Sequence, residues 1–196
     1  MNKFIVLIIA IFAFANVALA DEYVSADYQD KQKVGVAENH HVVGVNYGYT
    51  FNDLGLAVEA RVEDEVVTDP SKHEGLFQGK VVYSIPAAVL EVYPYVAGTI
   101  GYKSRSNSEN TNFAFYAVEA GLKYSEINNV DIKYGVRLRT PFNESSMGYG
   151  NHYRTVENSL SVAYHITDKC QIAAKYAREH GDSNYHVWGI GLAHSF

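Results

Sequence analysis

Several residue types that mark other classes of protein are scarce in this sequence. Cysteine occurs once among 196 residues, as Cys170, so no internal disulfide can form. Acidic residues outnumber basic ones and give a formal net charge of −6, which argues against a nucleic-acid partner. After Ala20 no apolar run is long enough for a transmembrane helix. Only four prolines occur, whereas 16 tyrosines and 15 glycines do, and this composition suits a β-sheet at a membrane–water boundary.

The N-terminus has the three parts of a secretory signal peptide. Lys3 supplies a positive start, an unbroken apolar run covers Phe4–Phe14, and the sequence through Ala20 fits the small-x-small rule for signal peptidase. A membrane anchor helix is disfavoured because the apolar run is too short to span a bilayer comfortably. No cysteine follows the cut, which argues against a lipid anchor. We therefore predict a signal peptide at residues 1–20 and an outer-membrane β-barrel at residues 21–196.

Alternation of apolar with small or polar residues is the dominant pattern in the rest of the chain. At the C-terminus one face of the predicted strand carries four large apolar side chains: Trp188, Ile190, Leu192 and Phe196. The opposite face carries small ones: Gly189, Gly191, Ala193 and Ser195. Ten segments of this kind follow one another, at about 22–30, 40–51, 55–67, 75–85, 91–103, 112–125, 130–141, 153–166, 170–179 and 186–196. The first is the shortest and most polar, so an eight-stranded structure is the fallback.

The lengths of the connections favour ten strands. Connections after even-numbered segments are short, as at Asn52–Leu54 and Thr167–Lys169. Those after odd-numbered segments are longer on average, with Phe142–His152 the longest. Bacterial outer-membrane barrels have short periplasmic turns, longer outer loops and an even strand count. The predicted fold is therefore an all-β, transmembrane, antiparallel up-and-down β-barrel of ten strands, with both termini in the periplasm.

Charged residues decide which face of the sheet is inside. Twelve of them alternate with the apolar face: Asp27, Glu59, Arg61, Glu63, Lys80, Glu119, Lys123, Lys133, Arg137, Arg139, Glu157 and Lys175. So many charges in the core of a soluble, lipocalin-like barrel would be very costly unless paired. In a membrane barrel the apolar face meets lipid, and the charges line the lumen, where they meet water and one another. We therefore predict that all twelve line the lumen.

Three motifs resemble the small outer-membrane β-barrel superfamily that includes opacity proteins and the OmpA membrane domain. Tyr95–Tyr102, after Pro94, resembles the family's PYVGAGVGY strand, and Ala120–Tyr124 with Asp131–Tyr134 resembles the hairpin that follows it. The C-terminus resembles the family's sorting signal, and its candidate residues are Trp188, Ile190, Gly191, Leu192 and Phe196. His194 departs from that signal, which calls for an aromatic or aliphatic residue two positions before the end.

The resemblance implies a location and a set of partners. It implies export to the bacterial outer membrane, contact with outer-membrane lipid and lipopolysaccharide, and recognition by the barrel assembly machinery. Two strands within 153–179 look inserted relative to the eight-stranded members. The family shares an architecture and not one activity, so the resemblance bears on location more than on function.

Two readings of the lumen stay open at this point. Long charged side chains reaching over small residues could pack into a closed, ion-paired core, or they could line a narrow passive pore for ions and small solutes. Ten strands lie near the filled end of the range of barrel sizes. An alternative places function in outer loops that recognise a surface or host ligand, including Ser104–Asn112 and Phe142–Tyr153.

Chemistry beyond the lumen has weaker support. Histidines cluster at predicted outer loops and strand tops, at His40, His41, His73, His152, His180 and His186, but no pair has tight metal-ligand spacing. The stretch from His180 to Asn184 resembles the His-x-Ser-Asn of lipid A deacylases with its spacing off by one. A serine nucleophile needs an adjacent base and an orienting acid at fixed geometry. We predict no catalytic, metal or cofactor residues.

Overall fold

The structure is a computed structural model, and it describes residues 21–35, 39–67, 73–85, 91–105, 112–127, 129–142, 154–181 and 184–196. The predicted signal peptide lies outside the described residues, as does most of the predicted recognition loops and of the serine-containing stretch before Asn184. Within the described part no helix is long and apolar enough to span a membrane.

Ten antiparallel strands close into one barrel, which confirms the predicted fold and strand number. In chain order the strands are β1 (Asp21–Lys33), β2 (Asn39–Phe51), β3 (Leu56–Val67), β4 (His73–Ser84), β5 (Val92–Arg105), β6 (Phe113–Ile127), β7 (Val130–Pro141), β8 (Thr155–His165), β9 (Cys170–Gly181) and β10 (Tyr185–Ser195). Each strand pairs with its neighbours in the sequence, and β1 pairs with β10 to close the sheet. Closure matters because lipid offers no partner to an exposed sheet edge.

The first strand is longer than its sequence pattern indicated. Residues 22–30 were expected, whereas β1 runs to Lys33 and pairs with β10 from Tyr23 opposite Ser195 to Lys33 opposite Tyr185. Its other edge pairs with β2 from Asp21 to Gln32. A strand between two neighbours gains backbone hydrogen bonds along its whole length, and this outweighs its low apolar content.

The turn between β2 and β3 depends on a glycine. A single 3-10 turn covers Asn52–Leu54 and ends at Gly55, whose φ of 60° lies in the left-handed region. The Gly55 amide donates to the Asn52 carbonyl at 3.1 Å. A Cβ at this position would lie 2.5 Å from the Ser84 carbonyl oxygen. Glycine therefore satisfies both the backbone angle and the close approach of the next hairpin.

The barrel has inverted polarity, with apolar side chains outside. The large exposed side chains of the strand centres are apolar, among them Val45, Val58, Val81, Ile100, Val118, Leu138, Leu160, Ile190 and Leu192. Exposed tyrosines such as Tyr102 and Tyr116 share this outer face, and the charged positions alternate with it. Such a surface is unstable in water and suits contact with lipid. One end carries Asp21, Phe196 and the short described turns at 52–54 and 166–169, which makes it the periplasmic end by the same architectural rule.

Small residues on β2 make room for a long side chain from β3. Gly44 lies beside Glu63 in the β2–β3 register, and a Cβ on Gly44 would lie 2.2 Å from Nη2 of Arg61. The Arg61 guanidinium is held over this glycine by hydrogen bonds to Asp27 and Glu63. By contrast, a Cβ on Gly79 would have no atom within 4 Å.

We expect Gly44→Ala to destabilise the barrel, because the added methyl group displaces the Arg61 guanidinium from its two carboxylates. The expected loss in free energy of unfolding is about 1–3 kcal/mol, the usual cost of overpacking. Gly79→Ala is the matched control and should leave stability unchanged or slightly raised. Urea unfolding in lipid vesicles, followed by the fluorescence of the one tryptophan, Trp188, measures both. Equal stabilities for the two variants would contradict the packing described.

Candidate functional site in the barrel lumen

One cavity of about 350 Å³ lies inside the barrel. Eleven of the twelve predicted lumen charges line it: Asp27, Glu59, Arg61, Glu63, Lys80, Glu119, Lys133, Arg137, Arg139, Glu157 and Lys175. Lys123 is the exception. Its ammonium group pairs with Asp131 at 3.1 Å near the periplasmic end, and its side chain is 47% exposed. Alternation correctly predicted that Lys123 lies on the inner face of the sheet, but it could not predict the position of Lys123 along the barrel axis.

Four further charged residues line the cavity and were absent from the predicted set: Lys31, Glu65, Lys103 and Glu179. Each lies toward the outer end of its strand. The signal that could have identified them is the same alternation, continued to the strand ends. Glu65 has the parity of Glu63, for example, and Glu179 has that of Lys175.

A group of ion pairs, here called the Glu65 cluster, crosses the outer half of the lumen. Glu65 accepts a hydrogen bond from Lys103 at 3.1 Å, lies 2.8 Å from Nδ1 of His40, and lies 3.8 Å from the Lys31 ammonium group. Lys31 also lies 3.8 Å from Glu179, and Lys103 lies 2.5 Å from Glu74. The carboxylate and ammonium side chains of the cluster are only 7–13% exposed. Side chains from six strands thus meet in the centre of the lumen.

Apolar side chains flank the Glu65 cluster and fill the space that it leaves. Val42 lies opposite Glu65 in the register, Val187 opposite Lys31, and Phe113 opposite Lys103. These residues are 0–3% exposed, as is the neighbouring Phe115. Apolar groups on the inner wall of a barrel exclude water, so the outer half of the lumen is a packed core.

Two further groups of ion pairs lie deeper in the barrel. Arg61 holds Asp27 through two hydrogen bonds, at 2.5 and 2.8 Å, and also contacts Glu63. Across the lumen, Glu157 accepts from Lys175 at 2.8 Å and pairs with Arg137 at 3.0 Å. Arg61 uses its planar fork on Asp27 and so ties β3 to the non-adjacent β1, whereas Arg137 contacts Glu157 of the adjacent β8 through one terminal nitrogen.

The periplasmic half of the lumen is wetter than the outer half. Glu119 accepts from Lys80 and from the Tyr95 hydroxyl, both at 2.8 Å, and Lys133 lies 3.8 Å away over the Tyr95 ring. The side chain of Lys133 is 37% exposed, and that of Lys175 is 33% exposed. Both lysine side chains are therefore partly in contact with solvent.

The predicted histidine group is divided between the two faces of the sheet. His40 points inward to Glu65, whereas His41 lies on the outer face, 3.4 Å from Asp30. His186 contacts the Tyr176 hydroxyl at 2.8 Å. His152 and the side chain of His73 lie outside the described residues. Among the residues that the structure describes, no three His, Cys, Asp or Glu side chains are grouped as a metal ion would need.

No family model matches this chain, and no curated protein matches it. Solved structures with a similar fold do exist. An outer-membrane channel from Pseudomonas putida F1 is 9% identical with a TM-score of 0.61, and the match covers 92% of this chain and 97% of that one. The translocator domain of the autotransporter NalP from Neisseria meningitidis is 7% identical (TM-score 0.49; 100% and 95% covered), and the NanC porin is 12% identical (TM-score 0.48; 90% and 100% covered).

The likeness to the Pseudomonas channel shows the fold. This chain has the fold of an outer-membrane β-barrel. In a membrane, that fold has an apolar outer surface and a charged interior, as this chain does. The likeness to such barrels, predicted above from the motifs, is therefore confirmed at the level of fold. The sorting-signal residues at the C-terminus stay a prediction, with Trp188, Ile190, Leu192 and Phe196 all exposed on the outer face.

We expect Glu65→Gln to destabilise the barrel much more than Asp131→Asn does. Loss of the Glu65 charge leaves buried ammonium groups with fewer carboxylates, which costs about 1–3 kcal/mol of unfolding free energy. Asp131 lies at the wet periplasmic end, beside the exposed Lys123 and His165, where an ion pair contributes about 0–1 kcal/mol. Urea unfolding in vesicles measures both values. Equal losses of unfolding free energy in the two variants would show that the outer half of the lumen is as hydrated as the periplasmic end.

Proposed function

We propose that this protein is a membrane-structural barrel whose lumen rests closed in its outer half, and that it is not an open diffusion pore. The observation that carries this proposal is the Glu65 cluster, in which Lys31, Lys103 and His40 meet one carboxylate in the centre of the lumen. The proposal assigns the protein no catalytic role. Its expected partners are outer-membrane lipid and lipopolysaccharide, with the barrel assembly machinery acting during insertion.

The size of the barrel supports a closed lumen. Eight strands leave an interior just wide enough for side chains, whereas sixteen leave a water channel. Ten strands leave a small excess of space, and here the long side chains of Lys103 and Phe115 take it up in the outer half. The cavity of about 350 Å³ has Lys31, Glu65 and Lys103 of this layer in its wall. We infer that the layer closes the cavity toward the outside, which would make it a blind vestibule and not a path across the membrane.

Apolar packing around the Glu65 cluster also opposes the passage of ions. A solute crossing the outer half would have to displace Val42, Val187 and Phe113 or break buried ion pairs. Either route exposes charges or apolar surface at a cost of several kcal/mol. Passive diffusion through the resting barrel should therefore be slow.

A second candidate, a gated narrow pore, is favoured by one feature of the same cluster. Both of its lysines have two carboxylate neighbours: Lys31 lies near Glu65 and Glu179, and Lys103 near Glu65 and Glu74. Each lysine can swing from Glu65 toward the wall without losing every partner. Such an exchange is far less costly than leaving a buried charge unpaired, so the cluster is suited to opening under an applied voltage.

Planar-bilayer recording of the purified protein tests the proposal. We expect wild type to give no sustained conductance steps, because the outer half is packed. The double variant Glu65→Ala/Lys103→Ala removes the centre of the cluster together with its countercharge, and it should give steps that persist at low voltage. The matched control, Lys123→Ala/Asp131→Ala, removes an ion pair at the wet periplasmic end and should behave as wild type.

Two results would decide against the closed barrel. Sustained conductance by wild type at low voltage would show that the lumen is open. Brief openings of wild type at high voltage only, made frequent by Glu65→Ala/Lys103→Ala, would favour the gated pore. Of the predicted recognition loops, Ser104–Asn112 and Phe142–Tyr153, residues 106–111 and 143–153 lie outside the described residues.

A further inference from the structure

The charges that line the cavity are not all held in ion pairs. Seven are acidic: Asp27, Glu59, Glu63, Glu65, Glu119, Glu157 and Glu179. Eight are basic: Lys31, Arg61, Lys80, Lys103, Lys133, Arg137, Arg139 and Lys175. Glu74, 2.5 Å from Lys103, adds an eighth acid beside this wall, so the two signs are equal in number. They are unequally distributed, and a buried charge that has no partner calls for a counterion.

Arg139 is the cation at this cavity that lacks a close carboxylate. The other seven basic residues each have a carboxylate oxygen within 3.8 Å. Within the described part of the chain, Arg139 has no ion pair of that kind, and its Cζ lies 5.5 Å from the centre of the Phe115 ring. Its Nε is buried and has no hydrogen-bond acceptor among the described atoms.

A second unused donor lies next to Arg139. Arg137 is two residues away on β7, so both side chains leave the same face of the strand, about 7 Å apart at their origins. Arg137 gives one terminal nitrogen to Glu157 at 3.0 Å, but its own buried Nε has no acceptor in the described residues. Two arginines with unused donors thus border the same cavity.

We propose that this cavity binds a small, singly charged oxyanion, such as a monocarboxylate, at the guanidinium group of Arg139 with a further contact from Arg137. The guanidinium fork matches the two oxygens of a carboxylate, and it holds them better than a spherical ion of equal charge. One bound carboxylate would give the Arg139 guanidinium the partner that the wall does not supply.

The surroundings limit the ligand to a small one. The cavity has room for a small organic anion but not for a polymer. Glu157 and Glu179 also line it and would repel a second negative charge on the ligand. Arg139 lies near the outer end of β7 over the Phe115 ring, so the ligand has to reach the outer end of the cavity. Its path from the periplasmic side passes Lys133 and Lys175, whose partly exposed side chains carry positive charge.

Isothermal titration calorimetry with acetate tests the site, using the full barrel in detergent with chloride exchanged for acetate at constant ionic strength. We expect saturable binding of acetate by wild type and at least a tenfold loss of affinity in Arg139→Gln. The matched control is Arg178→Gln, which removes an exposed arginine of β9. Arg178 alternates with the inward Lys175 and Glu179 and lies on the outer face, so its removal should leave acetate affinity unchanged.

A second variant and a second readout keep the test decisive. Without acetate, Arg139→Gln should melt above wild type because an unpaired buried charge is gone, and acetate should raise the melting temperature of wild type but not of the variant. If Arg139→Gln does not fold, Arg139→Lys keeps the charge without the fork and should still weaken acetate binding. Three results would each overturn the proposal. They are equal acetate affinity in wild type and the Arg139 variants, no saturable binding by wild type, and a calorimetric trace showing that chloride competes as well as acetate.

Discussion

Closure of the sheet between β1 and β10 is the constraint on which the other features of this protein depend. In lipid, an open edge would leave backbone amides and carbonyls without partners, so the first and last strands must pair along their full length. The register from Tyr23–Ser195 to Lys33–Tyr185 achieves this. Once the ring is closed, alternation assigns every side chain either to lipid or to a narrow interior, and no third environment is available within the membrane.

Confinement of charge follows from that division. Side chains that cannot face lipid are collected in the lumen, where they are stable only when paired or hydrated. The two halves of the barrel use these two solutions in different proportions. The outer half combines pairing with apolar packing around Glu65, whereas the periplasmic half leaves Lys133 and Lys175 partly in water. Glycines such as Gly44 are part of the same arrangement, because the long Arg61 side chain can lie over the wall only where the wall residue has no side chain.

Much of this architecture could be predicted from the sequence, because alternation and the parity of the connections are local signals. The alternation in β10 correctly gave its outward residues Trp188, Ile190 and Leu192, and the connection lengths gave ten strands. Height along the barrel axis could not be predicted in the same way. It depends on strand stagger, which joins residues as distant as Asp27 and Arg61 and separates Lys123 from the cavity. The Glu65 cluster was missed because its members lie at strand ends, where the pattern fades into loops.

The unequal hydration of the two halves of the lumen has a consequence for electrostatics across the membrane. In the closed barrel proposed above, water and ions in the periplasmic half would keep that part of the interior close to the potential of the periplasm. A Donnan potential between periplasm and exterior would then fall mainly over the packed outer half, across a distance shorter than the bilayer. The field there would be concentrated on Lys31, Lys103 and Glu65, the centre of the Glu65 cluster.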